Sequence, residues 1–164
     1  MIISPIATGN GAYVIHRYLE KRIKGYSVLP YSPYRTMVAP SLWPLGRKSN
    51  PTLLHTTPDY AFFHKQKGVP LIVTFHNYVL DRFMCDYSSC LQNIHYQTDL
   101  KWLTKKAVNL ANEITAVSQF TANLVQQELR LDKKIRVIYN GIDEALFTPV
   151  NKLAAQRQIK VLFS

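Results

Sequence analysis

The feature that most constrains this chain is a repeating order: a short apolar run, a turn or cap, then a stretch with helical spacing. Residues 1–6 are apolar, Gly9-Asn10-Gly11 follows, and residues 12–24 have the period of a helix. There Ala12, Ile15, Leu19 and Ile23 share one face, and Arg17, Glu20, Lys21 and Lys24 the other. Gly25 is placed to end it. Residues 27–29 predict a second strand. Residues 52–56 predict a third, followed by Thr57 as N-cap and Pro58 opening a helix that runs to Lys67 before Gly68. Residues 71–75, Leu-Ile-Val-Thr-Phe, have the strongest strand character.

Thr98 is then expected to cap a helix over 99–112 with Leu100, Leu103, Ala107 and Leu110 inward. Residues 114–117 predict a strand, Ser118 the cap of a helix over 119–130, and residues 135–139 a strand closed by Asn140-Gly141. Residues 160–163 read as one more strand. The segment 30–51 holds five of the nine prolines and reads as loop, as do the aromatic-rich residues 77–97. Strands alternating with helices predict an α/β fold, a Rossmann-like parallel sheet with helices on both faces. Ligands of such sheets sit outside the carboxyl ends of the strands. That singles out Gly9–Gly11, His55, His76, Ser118 and Asn140.

Composition narrows the class. With 47% hydrophobic and 18% charged residues, the 164-residue chain is globular rather than disordered. No apolar run approaches the ~20 residues of a membrane span, and the first eleven residues lack the pattern of a secretory signal. Cys85 and Cys90 do not make a disulfide framework, so the expected compartment is reducing and cytoplasmic. The net charge is +10. Up to Lys48, seven bases (Arg17, Lys21, Arg22, Lys24, Arg35, Arg47, Lys48) face the single acid Glu20. Such a surface suits an anionic partner: nucleic acid, membrane or a phosphorylated substrate.

Gly9-Asn10-Gly11 is either a tight strand-to-helix turn or a loop that brings a phosphate or sugar to a helix N-terminus. It is not the dinucleotide pattern G-x-G-x-x-G, because position 14 is Val, and residues 27–48 contain no acid to bind a ribose. An NAD-dependent enzyme is disfavoured. His76, ending its strand before Asn77, can exchange a proton with a bound hydroxyl or simply bond to a loop. Cys85, Cys90 and His95 are spaced five apart, which is not a zinc pattern, and no metal is expected. Met37, Leu42, Trp43 and Leu45 among Arg35, Arg47 and Lys48 fit either an interfacial membrane contact or a loop packed on its own domain. No helix-turn-helix, RNP-type or finger signature supports nucleic-acid binding.

Residues 113–124, with Val117-Ser118, and residues 135–149, with Asn140-Gly141-Ile142-Asp143 followed by Phe147 and Pro149, closely resemble glycosyltransferase family 4. Residues 69–77 resemble the family's strand "gxPxvxTxHd", and residues 9–13 its N-terminal glycine loop. The resemblance covers nearly the whole chain. It implies the N-terminal, acceptor-side half of a two-domain GT-B enzyme that transfers a sugar from a nucleotide-sugar to a sugar or lipid-linked acceptor, with retention and without metal or other cofactor.

It also implies roles. Gly9, Asn10 and Gly11 would face the donor phosphate or the transferred sugar, and His76, the catalytic candidate, would contact that sugar or the acceptor. Asn77 follows it, where the family often has Asp. Ser118 would cap the helix bordering the cleft, and Asn140 and Gly141 would lead into the linker. Asn10 separates glycines that the family usually has adjacent. Residues 1–150 are expected to form the acceptor-side domain, and residues 151–164 a linker and first strand of a missing donor-binding domain. Without that domain little activity is expected. The alternative is a non-catalytic module docking on anionic membrane, at the cytoplasmic face, or on a separately encoded donor domain.

Overall fold

The structure, a computed structural model, describes residues 1–81 and 86–142. Six parallel strands form one sheet: β1 Ile2–Ala7, β2 Tyr26–Tyr31, β3 Leu53–Thr56, β4 Leu71–Phe75, β5 Glu113–Ala116 and β6 Arg136–Val137. Their order is β2-β1-β3-β4-β5-β6, the doubly wound α/β arrangement expected from the alternation. The chain leaves β1 in one direction to make β2, then crosses back to make β3. Helix α1, Gly11–Arg22, therefore lies on one face, while the right-handed connections after β3 fall on the other.

Proline in a central strand removes a ladder donor, and Pro5 does so on the β3 side. The N–H groups of Ile2 and Thr8 bond to Gly25 and Tyr31, so even positions of β1 face β2 and odd ones face β3. Pairing with β3 stops after Ile2 and Ile3, whereas pairing with β2 continues to Ala7. The Thr56 hydroxyl donates to the Pro5 carbonyl across the gap. Sequence alone thus opens the sheet between the carboxyl ends of β1 and β3, the point where strand order reverses.

The main core lies on the face away from α1. Leu54, Leu71, Val73, Phe75, Ile114 and Ala116 pack there against α2 (Ala61–His64), α4 (Lys101–Leu110) and α5 (Gln119–Leu129). A smaller cluster of Ile6, Ala12, Tyr26 and Val28 seats α1 on the opposite face.

Several boundaries differ from the sequence reading. The helix expected over 58–67 shrinks to Ala61–His64: residues 58–60 form a turn, and Thr57 caps nothing. Phe62, Phe63 and His64 are weak helix formers, and Phe63 and Phe62 pack edge-on against Trp43 and Trp102 instead. Residues 77–97 are not all loop. Ser89 and Gln92 form a capping box that starts α3, Cys90–His95, which continues through one wider turn, Tyr96–Leu100, into α4. Thr98 is therefore inside a helix, its hydroxyl donating to the Ile94 carbonyl (2.7 Å). Val108 is buried in place of Leu110, which is 40% exposed. Likewise α1 buries His16, while Ile23 caps the helix end and is exposed. The segment 30–51 contains 3-10 turns at Pro33–Leu42 and Arg47–Ser49. The strand expected over 160–163 and the proposed domain boundary lie outside the described residues.

Candidate functional site

The crevice between β1 and β3 is a cleft of about 660 Å³. Asn10, Gly11 and Ala12 line it from the start of α1, Thr57 to Asp59 from the end of β3, His76 and Asn77 from the end of β4, and Asn140 from beyond β6. Gly9 takes a positive φ of +84°, the turn that lets the chain reverse from β1 into α1. Asn10 is the N-cap, its Oδ1 accepting from Tyr13 N at 2.8 Å. The N–H groups of Gly11 and Ala12 lie in the first turn, where no intrahelical carbonyl reaches them, and no acid occupies that turn. The positive end of α1 therefore opens on the cleft and favours an anionic or hydroxylated ligand.

His76 stands at the floor of this cleft. Its Nε2 is 3.3 Å from His16 Nε2, and burial lowers its imidazole to about 4, so it is neutral at pH 7. Behind it runs a connected set of polar side chains on the α1 face. His16 Nδ1 lies 2.6 Å from Ser4 Oγ and 2.9 Å from the Tyr26 hydroxyl, which is 2.7 Å from His55 Nδ1. His55 Nε2 is 2.7 Å from Thr74 Oγ1, which is 2.6 Å from Thr115 Oγ1. Burial also holds His16 down at about 2 and His55 at about 4, and raises Tyr26. Both neighbouring histidines add to the lowering at His16.

Beside the cleft, and sharing Asp59 and Val79 with it, is a wide groove of about 1510 Å³. Met37, Tyr60, Phe63, Tyr96 and Trp102 give it a mainly apolar lining. Burial pushes the Asp59 carboxyl up to about 6 at the junction of the two spaces.

The structure thus brings Asn10, Gly11, His76, Asn77 and Asn140 to one cleft. Gly9 shapes the turn beneath it, and its side is open. Ser118 does not line the cleft: its Oγ caps α5, accepting from Thr121 N at 3.1 Å and donating to Thr121 Oγ1. His55 is not at a strand end but inside β3, within the polar set. Cys90 is exposed at the start of α3, and among the described residues no group of His, Cys, Asp or Glu is arranged to hold a metal. Of the loop among bases, Leu42 is buried, while Met37 is 83% and Trp43 51% exposed.

Sequence reading missed His16, Tyr26, Asp59, Thr74 and Thr115. The signal was a polar residue at alternate positions of otherwise apolar strands, and a histidine four residues after buried Ala12 on the inner face of a helix.

Residues 2–146 match the family model described as Glycosyltransferase Family 4. No curated protein matches the chain. Among the described residues no helix is long and apolar enough to cross a membrane.

Proposed function

The chain belongs to glycosyltransferase family 4 and has that family's type of function; from that premise we propose that it is the acceptor-side half of a retaining enzyme. In this reading a sugar passes from a nucleotide-sugar to an acceptor hydroxyl. The observation that carries it is the convergence of the open end of α1, neutral His76 and Asn140 in one cleft at the reversal of strand order. The helix end would stabilise charge on the transferred sugar or donor phosphate. His76 would hold a hydroxyl of the sugar or acceptor. The diphosphate leaving group would be held by a donor-binding domain facing this cleft, and the oxocarbenium-like transition state would be stabilised by these fixed dipoles.

The groove beside the cleft suits an acceptor with an apolar part, its reacting hydroxyl reaching the cleft past Asp59. Asp59 would accept a hydrogen bond from that hydroxyl. In this reading the purified 164-residue chain should by itself bind acceptor but release no sugar from a nucleotide-sugar. Turnover by this chain alone contradicts the division of labour.

The second reading, a non-catalytic docking module, is favoured by exposed Met37, Val38 and Trp43 beside Arg47, whose guanidinium sits 5.3 Å from the Trp43 ring centroid. Co-sedimentation with anionic vesicles at low salt checks it. Retention that Met37→Ser and Trp43→Ser abolish supports a peripheral membrane contact, and no retention removes it.

A further inference from the structure

The polar set behind His76 has a direction. A backbone carbonyl can only accept, and Thr115 Oγ1 donates to the Val73 carbonyl (3.4 Å). A hydroxyl has one hydrogen, so Thr115 accepts from Thr74, and Thr74 in turn accepts from His55. His55 thus carries its proton on Nε2 and is bare at Nδ1. It accepts there from the Tyr26 O–H, and Tyr26, its hydrogen used, accepts from His16 Nδ1–H. A neutral His16 is then bare at Nε2 and accepts from His76 Nε2–H. Every donor along this path meets an acceptor, and His16 Nδ1–H is shared between two. The opposite direction leaves the bond to Val73 unmade. It also asks one Nδ1 lone pair of His16 to take hydrogens from both Ser4 and Tyr26. In the stated direction Ser4 Oγ is a second acceptor of the same N–H.

We propose that this chain of hydrogen bonds fixes His76 as its Nε2–H tautomer, leaving the Nδ1 lone pair as the acceptor it offers a ligand hydroxyl, and that His16, Tyr26 and His55 are positioning residues for His76. Among the described residues no hydrogen bond is made to His76 Nδ1. The burial that keeps all three rings neutral keeps one proton on each, which the alternation requires. The five members behind His76 come from α1, β2, β3, β4 and β5, so the path crosses the sheet from an anchored carbonyl to the cleft. Four of them, His16, Tyr26, Thr74 and Thr115, are at most 8% exposed. Water therefore competes little for the bonds that set the order. Its functional meaning rests on the reading that His76 meets the substrate.

Long-range proton–nitrogen NMR correlation of the imidazoles in the nitrogen-15-labelled 164-residue chain at pH 7 reads each tautomer directly. Single His→Gln variants assign the five rings. The expected result is His55 and His76 protonated at Nε2 and His16 at Nδ1. Tyr26→Phe should turn His16 and His76 into mixtures of both tautomers. A wild-type His76 protonated at Nδ1, or a folded Tyr26→Phe chain with unchanged His16 and His76 tautomers, overturns the proposal. If Tyr26→Phe does not fold, Thr115→Val cuts the path at its anchor and is expected to mix the His55 and His76 tautomers; unchanged tautomers there count equally against it. These signatures are independent of turnover. A failed functional reading would appear as unchanged turnover on His76→Ala, with the tautomers still as stated.

Discussion

The two faces of this sheet are made by the same strands and differ in almost every respect. In β4, Val73 and Phe75 point into an apolar core covered by α2, α4 and α5, while Thr74 between them points to the α1 face and joins a path of histidines and hydroxyls. In β5, Ile114 and Ala116 alternate with Thr115 in the same way. Each face also contains a buried histidine with a different fate. His16, fully buried, has partners at both ring nitrogens. His64, on the apolar side beside Tyr31, has a partner at neither among the described residues. The period of two in a strand lets one set of residues supply stability and the other chemistry, without either set compromising the other.

Breaking the apolar face should have the largest effect on the fold. Phe75→Ala removes a fully buried ring and is expected to cost about 3–5 kcal/mol. A denaturant midpoint within ~1 kcal/mol of wild type would show that this face is not the main source of stability.

Acid should act through the buried histidines. His16, His55, His64 and His76 are all lowered by burial, His16 to about 2 and the others to about 4. Between the ordinary histidine value of about 6.5 and these values the unfolded chain takes up protons that the native chain refuses. Stability should therefore be full above pH ~6.5 and fall steadily as the pH drops toward 4. A flat midpoint over that range contradicts the burial of these rings.

The two histidines sharpen the contrast further. His16→Leu removes the donor to the Ser4 and Tyr26 oxygens and leaves His76 Nε2 without its partner, and is expected to cost about 1–3 kcal/mol at pH 7. His64→Leu removes two unpartnered polar atoms and should change stability by less than about 1 kcal/mol at pH 7 while weakening the loss in acid. Thermal unfolding of both variants at pH 7 and pH 5 decides; equal losses at pH 7 would erase the distinction.

The sheet, the strand-to-helix turn at Gly9–Gly11 and the cap of Ser118 were legible because each rests on a local pattern: an apolar run, a glycine, a cap. Five of the seven nominated site residues line the cleft for the same reason, since the carboxyl ends of parallel strands converge there. What was not legible depends on pairs distant in sequence. His16 meets Tyr26 across ten residues and His76 across sixty, and no local period announces either. Asp59 was hidden inside an expected helix that aromatic packing against Trp43 and Trp102 cut short. The capping box at Ser89 and Gln92 was readable, yet an aromatic-rich surrounding read as loop obscured it.

The most direct test is the kcat/KM for the nucleotide-sugar and acceptor of His76→Ala, made in an enzyme that joins residues 1–150 to a donor-binding domain. His76 sits at the floor of the cleft without filling the apolar core, so the variant should fold as the wild type does. The expected result is a loss of about 10²-fold or more, as for removal of a group acting in the transition state. An unchanged kcat/KM in a folded variant would make His76 a structural residue and remove the central claim.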